Sequence, residues 1–249
     1  MLIFILVPML LIVYYAFMAD GTFTLDYFKS ALSANNLKVL LDSIRLAVIT
    51  TVICLLLGYP VAYILTLMKK STATLLSTFF IVPMWMNFLL RTYAWKVLLG
   101  NLTSILYTEA AVLIGMVYNF LPFMILPIYT VLMKLDHSYL EAAQDLGCTP
   151  AQTFVKVVLP LSISGIVSGI TMVFIPSTTT FAISQLLGGG KTMLYGDLIQ
   201  MRFISEQAWG AGSALAIVLL VLVLLSMALM RRVERIGGID SQEEGGRLW

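Results

Sequence analysis

The chain has 249 residues, of which 60% are hydrophobic and only 11% charged, and its formal net charge is +2. Soluble domains run at about 45–50% apolar and about 25% charged, so a water-soluble fold is excluded. The near-neutral balance, with no clustered basic face, excludes a nucleic-acid binder.

A membrane-crossing helix needs about 20 mostly apolar residues, and six runs fit. The first, 2–18, lacks the basic opening of a signal peptide, and Ala16-Phe17-Met18-Ala19 has the wrong spacing for its cleavage site. It reads as a retained first span with a short or truncated cytoplasmic head. The second run, 44–68, ends at Lys69-Lys70, and the third, 74–90, at Arg91. The fourth, 111–133, is followed by Lys134, and the fifth, 161–187, by Gly188-Gly189-Gly190. The sixth, 213–230, ends at Arg231-Arg232. The expected fold class is all-α, a polytopic membrane protein with six transmembrane helices in a single domain over residues 1–249. Pro60, Pro83, Pro122, Pro127 and Pro176 fall inside these runs. Neighbouring helices or water can satisfy the carbonyls they free. Such kinks occur in helices that line a path and in plain structural spans alike.

Basic residues near span ends set orientation. Lys69-Lys70, Lys134 and Arg231-Arg232-Arg235 lie on one side, which makes that side cytoplasmic and both termini internal. Counted over whole loops, eight basic residues lie inside (Lys69, Lys70, Lys134, Lys156, Arg231, Arg232, Arg235, Arg247) and seven outside (Lys29, Lys38, Arg45, Arg91, Lys96, Lys191, Arg202). Cys54 sits in an apolar run and Cys148 in a polar loop, a spacing that suggests neither a metal site nor a redox pair.

The loop at 134–160 carries the most information. Ser138 and Glu141 fit a capping box that opens a short helix, and Tyr139, Ala143 and Leu146 recur at helical spacing as an apolar stripe. Gly147 fits a left-handed C-cap. A second capping box follows, with Thr149 as N-cap, Pro150 first in the helix and Gln152 three residues on. That helix is expected to run through Phe154, Val157 and Val158 and to stop at Pro160.

Glu141-Ala142-Ala143, then Asp145-Leu146-Gly147, then Leu159-Pro160 resembles the EAA loop of the MetI-like superfamily of bacterial ABC importer permeases. The likeness covers nearly the whole chain. Leu57-Gly58-Tyr59-Pro60, Ile81-Val82-Pro83-Met84-Trp85-Met86-Asn87, Arg91-Thr92-Tyr93 and Asn119-Phe120-Leu121-Pro122-Phe123 look like the spermidine/putrescine branch. Sulfate, molybdate, iron and thiamine permeases share part of these patterns.

The resemblance implies a type I importer fold whose loop forms a coupling helix, Glu141, Ala142, Ala143, Asp145, Leu146 and Gly147, docked in a groove of a cytoplasmic ATPase. It implies as partners a second permease, either a homologue or a copy of this chain, two ATPase subunits, an extracytoplasmic binding protein and the bacterial inner-membrane bilayer. No cofactor belongs to this chain; ATP and Mg go to the ATPases.

Enzyme signatures are missing: His137 stands alone, and Gly188-Gly189-Gly190-Lys191 lacks the phosphate-loop spacing. Asp42, Glu109, Asp197 and Glu206 fall at span ends or in outer loops. Carboxylates inside spans would mark an ion-coupled carrier, so a secondary transporter is the lesser reading, and a membrane scaffold a third. A cationic cargo would then meet aromatic faces, each contact worth about 0.5–2 kcal/mol. The candidate path is Trp85, Asn87, Tyr93, Tyr118, Phe120, Tyr129 and Pro176. The same aromatics also suit an interface belt.

Overall fold

In a bilayer every backbone N–H and C=O must find a partner inside the protein, and helices do this locally. The computed structural model describes residues 2–19, 22–102 and 104–236, and helices dominate it. In chain order they are α1 (Leu2–Phe17), α2 (Asp26–Ala31), α3 (Ala34–Leu67), α4 (Lys70–Trp85), α5 (Phe88–Leu102) and α6 (Glu109–Leu132). Then follow α7 (His137–Asp145), α8 (Pro150–Thr153), a π-helical turn (Phe154–Val158), α9 (Leu159–Leu161), α10 (Ile163–Thr179) and α11 (Ala182–Gly188). The chain continues with α12 (Tyr195–Gln200), a second π-helical turn (Met201–Ser205) and α13 (Trp209–Ile236). One small hairpin, β1 (Met18–Ala19) and β2 (Thr22–Phe23), pairs Met18 with Phe23 and Ala19 with Thr22.

Among the described residues α3, α6 and α13 are each long and apolar enough to cross a membrane. Two broken pairs, α4 with α5 and the segment Pro150–Leu161 with α10, raise the number to five. The apolar α1, with 16 residues, makes the total compatible with six. The expected third span therefore differs: it is two helices, interrupted where Met86 turns extended (φ −73°, ψ 149°). Pro83 cannot donate to the carbonyl one turn back, which weakens the end of α4. The expected fifth span breaks after Thr179 and resumes at Ala182, just beyond Pro176. Pro160 does not stop its helix, which runs on to Leu161; the bend of 62° comes at Ser162 instead. The π-helical turn ahead of Pro160 has already shifted the hydrogen-bond register, so the proline sits in a first turn, where no donor is needed.

Contacts group the chain into two units interleaved along the sequence, with α3, α5, α6, α10 and α13 contributing residues to both. The first comprises Met1–Ile49, Leu89–Met116 and Ile175–Ser226. Its core joins Ala31, Leu40, Tyr195, Leu198, Ala214 and Leu215. Ser43 ties α3 to α12: its hydroxyl donates to Val39 O (2.8 Å) and accepts the Tyr195 N–H (2.7 Å). Arg45 of α3 meets Glu109 at the start of α6, with Nη2 2.5 Å and 2.6 Å from the two carboxylate oxygens.

The second unit comprises Thr50–Phe88, Val117–Phe174 and Met227–Trp249. Met124, Ile125 and Ile128 of α6 are buried there. α10 approaches so closely that a Cβ at Gly165 would lie 3.0 Å from both Pro127 O and Ile128 Cα, the small-residue packing expected between membrane helices. Cys54 is buried and Cys148 half-buried, and both thiols are free. Outward faces are apolar: Phe4 and Leu10 of α1 and Leu225 and Leu229 of α13 are exposed, as lipid contact requires.

Candidate functional site

The hairpin at 134–160 lies wholly in the second unit. Its first helix, α7, starts earlier than the sequence suggests. Asp136, not Ser138, is the N-cap: its Oδ1 accepts the Ser138 N–H at 3.0 Å while its backbone stays extended (φ −70°, ψ 130°). Both residues are good caps. Asp136 gains an extra stretch of helix and puts a negative charge at the positive end of the helix dipole. Glu141 is thus exposed in mid-helix rather than closing a box.

The exit from α7 follows the expected plan. Gly147 has φ +78°, its N–H donates to Gln144 O (2.8 Å), and the Cys148 N–H reaches back to Ala143 O (3.0 Å). This pair of bonds is a Schellman turn. The second capping box is complete: the Gln152 N–H donates to Thr149 Oγ1 (3.4 Å), and the Thr149 N–H donates to Gln152 Oε1 (2.9 Å). Both helices are therefore fixed by their own caps, and α7 packs on α8 and the π-helical turn.

The stripe on α7 divides in two. Ala143 is buried in that packing, whereas Tyr139 is 55% exposed and Leu146 85% exposed. Val155, on the π-helical turn, is 58% exposed. Ala142, Asp145 and Gly147 are exposed as well. A doubly capped hairpin thus presents apolar side chains that none of the described residues covers, the mark of a surface for a partner.

The root of the hairpin is clasped to α3, a contact the sequence hides. Phe154 lies edge-on to Tyr59 (centroids 5.7 Å) and to Tyr63 (5.1 Å), which sit four residues apart on one face of α3. Tyr59 also shares a hydrogen bond with Ser162 across the bend (2.9 Å). The Tyr59–Tyr63 spacing was the only available signal.

The candidate path residues fall into different surroundings. In the second unit Trp85 ends α4, 84% exposed, and Asn87 follows the extended Met86. Tyr118 is exposed and Tyr129 half-buried, both on α6. Phe120 is buried, only 6% exposed. In the first unit Pro176 is half-buried on α10. Tyr93 already carries a cation, since Lys96 Nζ stands 5.5 Å from its ring centre and 6.0 Å from that of Tyr107.

Two residues expected in outer loops are buried in the first unit. Arg91, within α5, is one. Asp197 is the other, only 6% exposed. Burial pushes the Asp197 carboxyl upward in pKa, while the nearby Ser184 hydroxyl, the Leu194 N–H and the Gln185 amide pull it back. Arg247 lies outside the described residues, as do the side chains of Lys70, His137 and Arg235.

Known proteins account for this arrangement. Residues 54–235 match the family described as binding-protein-dependent transport system inner membrane component. The chain is 36% identical to the spermidine/putrescine transport system permease protein PotB of Salmonella typhimurium, over 95% of this chain and 90% of that one. It is 35% identical to PotB of Escherichia coli, over 95% and 94%. The fold resembles a subunit of a bacterial alginate ABC transporter solved with an alginate pentasaccharide-bound periplasmic protein: TM-score 0.74, 13% identity, 94% and 89% of the two chains. A chain of the inward-facing MetNI methionine ABC transporter superimposes with TM-score 0.64 at 17% identity, over 81% and 95%. The chain belongs to the binding-protein-dependent transport system inner membrane component family, and is a membrane-embedded permease subunit of an ABC importer rather than an enzyme.

Proposed function

We propose that the chain is one of two permease subunits, paired with a homologous partner, in an ATP-driven importer of spermidine and putrescine. The observation that carries the transport mechanism is the exposed, doubly capped hairpin with Tyr139, Leu146 and Val155 on its surface. An apolar face of this kind fits a groove on one of the two cytoplasmic ATPases, which bind ATP and Mg themselves. ATPase closure moves Glu141–Gly147 as a rigid lever, and the Phe154 clasp passes the motion to α3.

Likeness to spermidine/putrescine permeases along nearly the full chain supports the cargo. Faces such as Trp85 and Tyr118 offer a polyamine cation–π contacts of about 0.5–2 kcal/mol each, weak enough for release. An extracytoplasmic binding protein delivers the cargo to the opposite side.

Charge supports the orientation, with the hairpin side and the C-terminus in the cytoplasm. Lys69, Lys134, Lys156, Arg231 and Arg232 all belong to the second unit, while Lys29, Lys38, Arg45, Arg91, Lys96, Lys191 and Arg202 belong to the first. The N-terminus is read as cytoplasmic from the span count.

Purification of the tagged chain from its native membrane, followed by reconstitution, tests the reading. An ATPase encoded beside it should co-purify, and the vesicles should accumulate labelled spermidine only with ATP and the binding protein. Uptake without any ATPase would make the chain a secondary transporter and defeat the proposal.

A further inference from the structure

The first unit contains an open cavity of about 340 Å³ between α11, α12 and the second π-helical turn, lined by Ser184, Gln185, Thr192, Asp197, Gln200 and Ser205 among others. Among the described residues that line it none is basic, and Asp197 is the one carboxylate. Asp197 Oδ2 accepts the Leu194 N–H at 2.8 Å, whereas Oδ1 is buried without a partner. Buried carboxylates are ordinarily paired with a cation or fully hydrogen-bonded, so the unpaired Oδ1 marks a missing partner.

The neutral groups around Asp197 bring oxygen acceptors to the cavity. The Ser184 hydroxyl gives its hydrogen to Phe181 O (2.7 Å), so only its lone pairs face outward. Gln185 donates one amide hydrogen to Gln200 Oε1 and keeps a second amide N–H beside its carbonyl oxygen, which is an acceptor. One negative charge with two or more neutral oxygens matches a primary ammonium group, which has three N–H donors and no acceptor.

The carboxylate is also held in place. A Cβ on Gly196 would lie 2.6 Å from Thr179 O and 2.7 Å from Thr180 O, so only glycine lets α12 start against the break after α10. This contact fixes the neighbouring Asp197. Holding Leu194 does not require the charge, because an asparagine oxygen would accept the same N–H.

We propose that Asp197 and its cavity form a docking point for a protonated primary amine of the cargo, an inference that rests on the polyamine reading above. Asp197 would be the charged element of a route otherwise built from aromatic faces. A single carboxylate keeps the stop short-lived, since a polyamine has two or more ammonium groups and this cavity neutralises one.

The test compares the complete reconstituted importer with its Asp197→Asn variant, which keeps the cap and loses the charge. Labelled spermidine and putrescine uptake should fall at least tenfold. ATP hydrolysis stimulated by loaded binding protein should stay within twofold, and the complex should melt no lower than the parent. Asp197→Glu should recover a substantial part of the uptake. Potassium at 100-fold excess should not compete; competition would assign the cavity to an inorganic cation and overturn the amine. Asp197→Asn uptake within twofold of the parent overturns the inference while leaving the polyamine reading intact. Loss of uptake in both variants together with a lowered melting temperature makes Asp197 purely structural and overturns it too. An unmutated importer that accumulates neither polyamine overturns both readings.

Discussion

Gly147 is the position where local strain and lever function separate most cleanly. Its φ of +78° lies in the left-handed region, and a Cβ there would meet nothing within 4 Å. Substitution therefore creates no clash inside the chain, only a conformational cost. For an L-residue with a Cβ that cost is about 1–2 kcal/mol, and asparagine tolerates the region better. A loss of this size lowers the population of the closed turn by about 5–30-fold. The turn is held by the Schellman bonds at 2.8 Å and 3.0 Å and by the adjoining capping box, so the bundle should remain folded. Hydrogen exchange at the Gln144–Cys148 amides should accelerate by about that factor in Gly147→Ala and much less in Gly147→Asn. Uptake per ATP hydrolysed should fall in the same order, with Gly147→Val lowest. Gly147→Val transporting at the parental ratio would refute the lever argument. Equal loss in Asn and Ala, with unchanged exchange, would refute the strain argument.

Three further outcomes follow from the same geometry. Thr149→Ala removes one arm of the capping box and should cost the hairpin about 1 kcal/mol, read as faster exchange at Gln152 with the spans unchanged. Phe154→Ala removes two edge-on aromatic contacts worth about 0.5–1.5 kcal/mol each beyond burial; ATP hydrolysis should persist while uptake drops, and Phe154→Tyr should retain most of the coupling. The raised pKa of Asp197 sets the sign of a pH effect. The native state holds this proton at pH values where the unfolded chain has released it, so stability falls as pH rises from the ordinary carboxylate value to the native one, then levels off. Asp197→Asn should abolish that slope and be at least as stable as the parent at pH 7, measured by thermal unfolding in detergent.

The parts of the fold legible from sequence are those set by neighbours a few residues apart. Thr149, Pro150 and Gln152 specify a cap within one turn, and Gly147 specifies a left-handed exit, so both appear as expected. Where two local solutions compete, sequence leaves the choice open: Asp136 and Ser138 can each cap α7, and the longer helix prevails. Hydropathy measures how apolar a run is, not whether its backbone is continuous. The breaks after Trp85 and Thr179 were invisible for that reason, although Pro83 and Pro176 stand just before them. Pro160 misled in the opposite direction because a π-helical turn absorbs it. Burial of Asp197 depends on Gly196 meeting carbonyls more than fifteen residues away, and the Phe154 clasp joins residues about ninety apart. No local window carries such information.

The most direct measurement places a photo-reactive amino acid at Leu146, the most exposed apolar side chain of the hairpin, in the assembled importer within its native membrane. Illumination should join this chain to the ATPase, with a yield that changes between the nucleotide-free and ATP-bound states. Cross-links only to lipid or to the chain itself, in both states, would contradict the hairpin as the handle of an ATP-driven motor.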